Sequence, residues 1–429
     1  MNAFDAKPAD VAKLSNGLTS VLLPLPHAES VSIGVWMRAG GRYETPAFSG
    51  ISHFLEHVLF KGTTRRSCEM LKREVEGVGG SLNGFTAEEH TCYMAKVPRR
   101  YAARAMRALA DLVRRPRLNA RDIEKERDVI IEEIRMYEDS PGQNVLDLMN
   151  ELMWPSHPLG MLLSGTIDTV RRIKRPHLVE YWRRMYGPQN GVVSVAGAFE
   201  PDEMSGLIRE EFGNMPKGKP MRYEHAPRPA QRVRVRVWKK PTEQAHLCVG
   251  MFAVPRSHPD RFALELLHVI LGANMSSRLF REVREKRGLA YEIGTHIKRY
   301  EDTGAFVVSA GCDEGKLAET LKTIVAELGR LSREGVGMTE LKRAKEYYAG
   351  QLSIGLEDTM EYMLWVGEQV TMVGKAPDRR LLMKHLNHVT AADLKRVSRT
   401  LFQPDRVQLA VVGNVAEPDV NRWLAACTW

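Results

Sequence analysis

Three residues in one short stretch, His53, Glu56 and His57, carry side chains that can bind a metal ion and catalyse hydrolysis. The surrounding sequence is typical of a helix, on which residues four apart lie one turn above each other, so both imidazoles can reach one ion at about 2 Å per bond. The carboxylate between them can take a proton from a water molecule whose pKa zinc lowers to about 7. This order reverses His-Glu-x-x-His and is typical of the inverted zincins, or inverzincins. The motif predicts a zinc hydrolase, with ordinary exposed or core histidines as the alternative.

A catalytic zinc site also needs a third protein ligand and an open fourth position. Residues 121–137 have helical periodicity, and Glu126 and Glu133 lie within the apolar stripe of that helix, not on its charged side. The apolar members of this stripe are Ile123, Val129, Ile130, Ile134 and Tyr137. Buried carboxylates are costly unless they are paired, hydrogen-bonded or metal-bound, and ion pairs to Arg or Lys are the alternative here. Because the two carboxylates are about 10 Å apart along the axis, we expect one to bind the metal and the other to support it.

Residues 53–63 read HFLEHVLFKGT, and residues 126–133 read ERDVIIEE. Together, and in their separation along the chain, these motifs resemble those of the pitrilysin and mitochondrial-processing-peptidase family of zinc metallopeptidases, in a bacterial-type member that contains a single half. The resemblance implies that His53, His57 and Glu133 bind one Zn²⁺ per chain. It also implies that Glu56 is the general base and that Glu126 orients the site from beside the ligands.

Length and composition set limits on the architecture. A chain of 429 residues exceeds one ordinary core and predicts at least two domains. Its residues are 43% hydrophobic, but no run approaches 18 apolar positions, so we expect no transmembrane span. Residues 1–17 carry Asp5 and Asp10 and lack a long apolar stretch, which argues against a secretory signal or a transit peptide, and a cytoplasmic location is the default expectation. Five scattered cysteines form no CxxC pair, so we expect reduced thiols and no structural zinc cluster.

The net charge of +9 is compatible with an acidic partner. However, 53 acidic residues are interleaved with 62 basic ones, and no long basic block stands out. A mixed, solvated surface is the better interpretation, and we expect neither nucleic acid nor membrane as a partner.

The chain also repeats itself. Residues 186–190 and the segment GVVSVAGAF resemble residues 402–406 and the segment VQLAVVGNV, half a chain length later. In the second copy only His268 remains, opposite His57, so only the first copy can hold zinc. We predict a metal-bearing catalytic domain at residues 1–211, a linker at 212–232 rich in proline, glycine and basic residues, and a homologous domain at 233–429 without metal ligands. The fold class is α+β, with each domain a largely antiparallel sheet packed with helices.

The family resemblance implies a function for two further segments. In relatives, a sheet edge beside the metal binds the peptide substrate as an additional strand, and the matching residues here are Asn83, Gly84, Phe85 and Thr86. The alternative is an ordinary glycine-rich hairpin turn. Relatives commonly carry alanine at the position of Gly84, a change that affects backbone freedom more than chemistry.

In the second half, residues 278–291 resemble the family's Arg-x6-Tyr element. The resemblance implies that Arg284 and Tyr291 are catalytic donors to the substrate carbonyl, where negative charge develops during peptide hydrolysis. Without it, Arg284 is a solvated helix charge and Tyr291 a core aromatic.

In the family, two double-domain halves close a chamber around the substrate, and this chain contains one such half. We therefore expect a homodimer in which the zinc site of one subunit faces Arg284 and Tyr291 of its partner, with a heterodimer as the competing assembly. The expected activity is that of an endopeptidase acting on unfolded peptides or processing segments. The alternatives are a catalytically idle scaffold or regulatory subunit, and a zinc-dependent peptide-binding protein.

Overall fold

The structure is a computed structural model that describes residues 9–229 and 232–429. The strands are β1 (Asp10–Lys13), β2 (Thr19–Pro24), β3 (Ser30–Met37), β4 (Ser81–Thr86), β5 (Thr91–Pro98), β6 (Gly191–Gly197), β7 (Arg234–Lys239), β8 (Ala245–Ala253), β9 (Ala290–Arg299), β10 (Gly304–Cys312) and β11 (Gln408–Gly413). The helices are α1 (Ile51–Leu59), α2 (Cys68–Val75), α3 (Ala102–Arg114), α4 (Ala120–Glu138), α5 (Pro141–Met153), α6 (Ile167–Arg172), α7 (Arg175–Met185), α8 (Pro201–Phe212), α9 (Arg261–Leu271), α10 (Leu317–Glu334), α11 (Met338–Gly355), α12 (Thr359–Val373), α13 (Arg379–His388), α14 (Ala391–Leu401) and α15 (Glu417–Ala425).

The first compact unit is built on a six-stranded sheet in the order β1-β2-β6-β3-β5-β4. Only the β2–β6 pair is parallel, and the other four pairs are antiparallel. Strands β3 and β6 are apolar and buried almost throughout, because helices cover both faces of the sheet. Helix α3 packs on one face and α12 on the other, and β4 lies at the end of the sheet beside α1.

The second compact unit repeats this plan with a five-stranded sheet in the order β7-β11-β8-β10-β9. Its single parallel pair is β7–β11, which matches β2–β6 in the first sheet. Helices α9, α10 and α14 pack on one face and α5 on the other. The predicted α+β fold with two homologous, largely antiparallel domains is therefore confirmed.

Each unit takes one helical segment from the other half of the sequence. The first unit consists of the residues up to Ile134, Met161–Glu224 and Leu352–Arg379, and the second consists of Arg135–Gly160, His225–Gln351 and Arg380–Trp429. Helix α12 buries Tyr362, Met363, Val366 and Val370 against the first sheet, and α5 buries Val145, Leu148, Met149 and Met153 against the second.

Glycines let these two helices approach their sheets closely. A Cβ atom on Gly34 in β3 would lie 2.4 Å from Met363 Sδ, and one on Gly250 in β8 would lie 2.6 Å from Met149 Sδ. Such separations are far below van der Waals contact, so a methionine occupies the space above each glycine. Each sheet thus has a glycine beneath the methionine of a helix from the other half of the sequence.

The segment between α8 and β7 contains no helix or strand among its described residues, in keeping with its proline- and glycine-rich sequence. Residues 230 and 231 of the predicted linker lie outside the described residues. The same is true of residues 1–8, which belong to the segment predicted to lack a secretory signal or transit peptide. Arg42, buried in the first unit, donates from Nη2 to the carbonyl oxygen of Glu224 at 3.1 Å and lies 3.9 Å from the ring centroid of Tyr223. The predicted domain boundaries, with a linker at residues 212–232 between domains at 1–211 and 233–429, stay a prediction.

Within the described ranges, no helix is both long and apolar enough to cross a membrane. The five cysteines are free thiols, and Cys92, Cys248 and Cys312 are buried.

Candidate metal centre

Helix α1 carries the inverted motif and is held firmly at its first turn. Gly50 precedes the helix with φ +91°, and a Cβ atom there would meet the carbonyl oxygen of Ser164 at 2.5 Å, so this position requires glycine. The buried carboxylate of Glu44 accepts hydrogen bonds from the backbone N–H groups of Gly50 (2.7 Å) and Ser52 (2.8 Å). An acceptor at a helix N-terminus satisfies backbone N–H groups that have no partner within the helix. The side chain of Ser52 in turn bonds the hydroxyl of Tyr181 at 2.6 Å.

The two histidines of α1 converge with a carboxylate from α4. Oε2 of Glu133 lies 3.7 Å from Nε2 of His53 and 3.5 Å from Nε2 of His57. Tetrahedral ligands of one zinc ion, at about 2.0–2.2 Å each, are separated by about 3.4 Å. Among the described residues, these three form the only group of histidine, cysteine and acidic side chains with the spacing of a metal site.

The electrostatics of the three side chains also fit a cation. Burial, with a smaller contribution from His57, lowers the pKa of His53 to about 4, so the imidazole is neutral and its nitrogen is available as a ligand. His53 Nδ1 is buried and has no hydrogen-bond partner among the described residues. Two imidazole nitrogens and a carboxylate oxygen are one of the donor sets found in catalytic zinc sites. The residues present therefore fit a zinc ion.

A second carboxylate of α4 lies on the other side of His57. Oε2 of Glu126 is 3.4 Å from His57 Nδ1, and Oε1 of the same carboxylate is 2.6 Å from Lys61 Nζ. Glu126 is buried, and although burial alone would raise its pKa, the contacts with His57 and Lys61 lower it. Burial would likewise lower the pKa of His57, but the neighbouring carboxylates raise it overall. This arrangement lets Nδ1–H of His57 donate to Glu126 while Nε2 faces Glu133, the pairing that orients metal-binding histidines in proteins.

Glu56 lies on α1 between the two histidines and is only 8% exposed. Burial raises its pKa above the ordinary range for a carboxyl group, against the lowering effect of a hydrogen bond from Thr86. That bond runs from Thr86 Oγ1 to Glu56 Oε2 and is 2.8 Å long. A buried carboxylate with a raised pKa next to a metal site can act as a general base near neutral pH.

Helix α4 is confirmed, but its apolar stripe is less buried than predicted. Ile123, Ile130 and Ile134 are buried, whereas Val129 is 50% exposed and Tyr137 is 38% exposed. The prediction of a continuous buried face was therefore wrong at these two positions.

The predicted substrate edge is a real sheet edge. Among the described strands, β4 pairs only with β5, and Asn83 is exposed, with its Oδ1 accepting from the N–H of Gly84 at 2.8 Å. A Cβ atom on Gly84 would lie 3.1 Å from ring atoms of Phe60 and 3.2 Å from the Cys92 carbonyl oxygen. Close packing around this position therefore favours glycine over a residue with a side chain in this protein.

The second unit brings Arg284 and Tyr291 together. Arg284 lies on a π-helical turn, Phe280–Glu285, and its guanidinium carbon is 4.5 Å from the ring centroid of Tyr291 and 4.8 Å from that of Phe280. Tyr291, near the start of β9, is 69% exposed. It is not a core aromatic, so that alternative is excluded. His268 is bonded through Nδ1 to Thr295 Oγ1 at 2.7 Å and belongs to no cluster of three possible metal ligands among the described residues.

Sequence reasoning did not single out Lys61 or Glu44, and it assigned Thr86 only to substrate binding. Lys61 follows His57 by four positions, a spacing that could have suggested a neighbour on the same side. Glu44 and Thr86 come from a loop and a strand, and no periodicity relates them to α1.

The comparisons with known proteins agree with this geometry. The family profile described as Insulinase (Peptidase family M16) matches residues 21–167, and the profile described as Peptidase M16 inactive domain matches residues 172–348. The chain belongs to this family of zinc peptidases, and the predicted resemblance to the pitrilysin family is confirmed. The name of the second profile suits a repeat from which the metal ligands are missing.

The chain is similar along its length to curated proteins named as uncharacterized zinc proteases. YmxG of Bacillus subtilis is 37% identical over 394 residues, which cover 91% of this chain and 95% of the relative. A protein of Streptomyces coelicolor is 35% identical over 95% of this chain and 90% of its own length. Among solved structures, a protease from Helicobacter pylori has a TM-score of 0.90 at 23% identity, covering 95% of this chain and 99% of that chain. This last similarity concerns the fold.

Proposed function

We propose that the protein is a zinc-dependent endopeptidase that cleaves unfolded peptides or processing segments. The observation that carries this proposal is the convergence of His53, His57 and Glu133 with Glu56 buried between the two histidines. The names of the curated relatives support the same reaction class.

His53, His57 and Glu133 would hold the zinc ion. When bound, zinc acts as a Lewis acid that polarises the scissile carbonyl and acidifies a water molecule. Glu56 accepts the proton from that water and then passes it to the leaving amine. Glu126 fixes the ring of His57 and keeps its Nδ1 protonated.

The substrate would bind as an extended strand along the free edge of β4, at Asn83, Gly84, Phe85 and Thr86. Backbone hydrogen bonds supply most of the affinity in such β-strand addition and are insensitive to sequence. An unfolded segment can present its backbone in this way, whereas a folded domain cannot, which limits the proposed substrates to peptides and flexible segments.

Glu56→Gln tests the reaction directly. We expect this variant to retain zinc, measured by elemental analysis, and to lose cleavage of a fluorogenic peptide mixture, because the amide cannot accept the proton. Glu69→Gln on the exposed side of α2 makes the same chemical change away from the site and should remain active. Full peptidase activity in Glu56→Gln would remove Glu56 from the mechanism, and zinc binding by a wild-type protein that cleaves nothing would favour a peptide-binding or scaffold role.

We further propose a homodimer in which Arg284 and Tyr291 of one subunit donate to the substrate carbonyl at the zinc site of the other. The close pairing of the two side chains and the exposure of Tyr291 support their availability to a partner. Each preorganised donor to the developing negative charge contributes about 3 kcal/mol to transition-state stabilisation.

Mixing inactive variants tests this assembly. A dimer of one His53→Ala chain and one Arg284→Ala chain has one site with both elements intact and should recover about half the activity of a wild-type dimer. If mixed dimers form, as measured by native mass spectrometry, but stay inactive, the arrangement in trans is wrong. A monomeric wild-type protein that needs a second, different protein for activity would favour the heterodimer.

A further inference from the structure

The hydroxyl of Thr86, in strand β4, forms a hydrogen bond with a residue of α1, the helix that carries the inverted motif. Thr86 is the last residue of β4, and its Oγ1 donates to Oε2 of Glu56 at 2.8 Å. Glu56 makes no other side-chain hydrogen bond to the described residues. Because a hydroxyl bond to a buried carboxylate is charge-assisted, it restricts the rotation of that carboxylate strongly.

We propose that Thr86 is a positioning residue for Glu56 and not a substrate contact through its side chain. This inference rests on the proposed peptidase function. A carboxylate has two oxygens, and Thr86 occupies Oε2. The other oxygen, Oε1, is thereby left to accept the proton of the attacking water. Thr86 keeps its own proton throughout.

The alternation of side chains along β4 explains why Thr86 faces the base. Successive residues of a strand point to opposite faces of the sheet. Phe85 packs edge-on against Trp36, with ring centroids 5.9 Å apart, in the cluster beneath α12. Gly84 lies against Phe60, which directly follows α1, so Gly84 and Thr86 share the face that carries the metal helix.

One strand therefore has two tasks. Its free backbone edge is available to an extended peptide, while the Thr86 side chain holds the base from the same strand. A peptide that binds along β4 and reduces its motion also reduces the motion of Thr86 and of Glu56. Correct binding of the peptide and correct orientation of the base therefore depend on the same strand.

The test compares Thr86→Val with Thr86→Ser in the full-length protein. Valine has the same shape and suits a strand but cannot donate, whereas serine keeps the hydroxyl. We expect Thr86→Val to lower kcat by about 10- to 100-fold, with KM and zinc content unchanged, and Thr86→Ser to recover most of that loss. A raised KM with unchanged kcat would instead make Thr86 a substrate contact. Failure of serine to restore kcat would point to packing by the methyl group.

A measurement independent of turnover separates these roles further. In a Glu56→Gln background, where no cleavage occurs, Thr86→Val should leave the affinity for a fluorescein-labelled peptide from the cleavage assay unchanged, and a loss of affinity would overturn the proposal. Crystal structures of zinc-free wild-type protein and Thr86→Val should show the Glu56 carboxylate reoriented in the variant. An unchanged carboxylate would also overturn it. If wild-type protein cleaves no peptide, the endopeptidase proposal fails, while these crystal structures still decide whether Thr86 positions Glu56.

Discussion

Glu126 offers a sharp test of how the metal site is supported. Its carboxylate bridges His57 Nδ1 at 3.4 Å and Lys61 Nζ at 2.6 Å, and the residue is buried. Glu126→Gln keeps the size of the side chain and one acceptor oxygen but removes the negative charge. Loss of such an anionic partner of a metal-binding histidine weakens metal affinity by about 10- to 100-fold, or about 1.4 to 2.7 kcal/mol. Because Lys61 already neutralises part of the charge, we expect an effect in the lower half of that range.

The assay is competition for zinc against a chromophoric chelator at fixed pH and ionic strength, with circular dichroism to show that the fold is unchanged. Asp128→Asn is the matched control, because it removes one negative charge from an exposed position two residues away on the same helix. We expect the zinc Kd of Asp128→Asn to equal that of the wild type within a factor of two. If Glu126→Gln and Asp128→Asn have the same Kd, Glu126 does not support His57 in the way argued from the geometry.

Two further predictions concern stability. Burial raises the pKa of Glu44 to about 7, against the lowering effect of hydrogen bonds from Ser52 and Gly50. A carboxyl group whose pKa is raised by folding stabilises the folded state fully at a pH below its pKa in the unfolded chain. We therefore expect the stabilisation by Glu44 to be lost as the pH rises through 7. Urea unfolding between pH 5 and 8 should show this loss in wild-type protein and a flatter profile in Glu44→Gln, and identical profiles would refute the assignment. Met363→Ala should lower the free energy of unfolding by about 2–5 kcal/mol, because it empties the space above Gly34, whereas the partly buried Met360→Ala should cost clearly less.

Much of the fold follows from sequence periodicity. Strands β2, β3, β5 and β6 coincide with short apolar runs that are visible in the sequence. They combine apolar, β-branched residues with nearby turn signals, so local preference and burial agree. Helices α1 and α4 were likewise predictable, since their apolar residues recur at helical spacing.

The convergence of the candidate metal ligands was predictable because the residues concerned lie in two local patterns. His53, Glu56 and His57 share one turn of α1, and the position of Glu133 within an apolar stripe distinguished it from the surface carboxylates of α4. The same stripe misled at Val129, because periodicity reports which side of a helix is apolar and not what covers it.

Contacts between distant segments could not be derived in this way. The bond from Thr86 to Glu56 depends on which strand forms the sheet edge next to α1, and the sequence does not encode that order locally. The exchange of α5 and α12 between the halves is equally hidden, since apolar periodicity shows that a helix has a buried face but not which sheet covers that face.

That exchange sets the order in which the protein can mature during synthesis. One face of the first sheet stays bare until the ribosome has made α12, which ends at Val373 in a chain of 429 residues. The candidate metal ligands, all encoded before residue 134, therefore emerge long before this face of the sheet can be covered. The first unit is consequently completed only after α12 has been synthesised, and the nascent chain must keep an apolar surface soluble in the meantime.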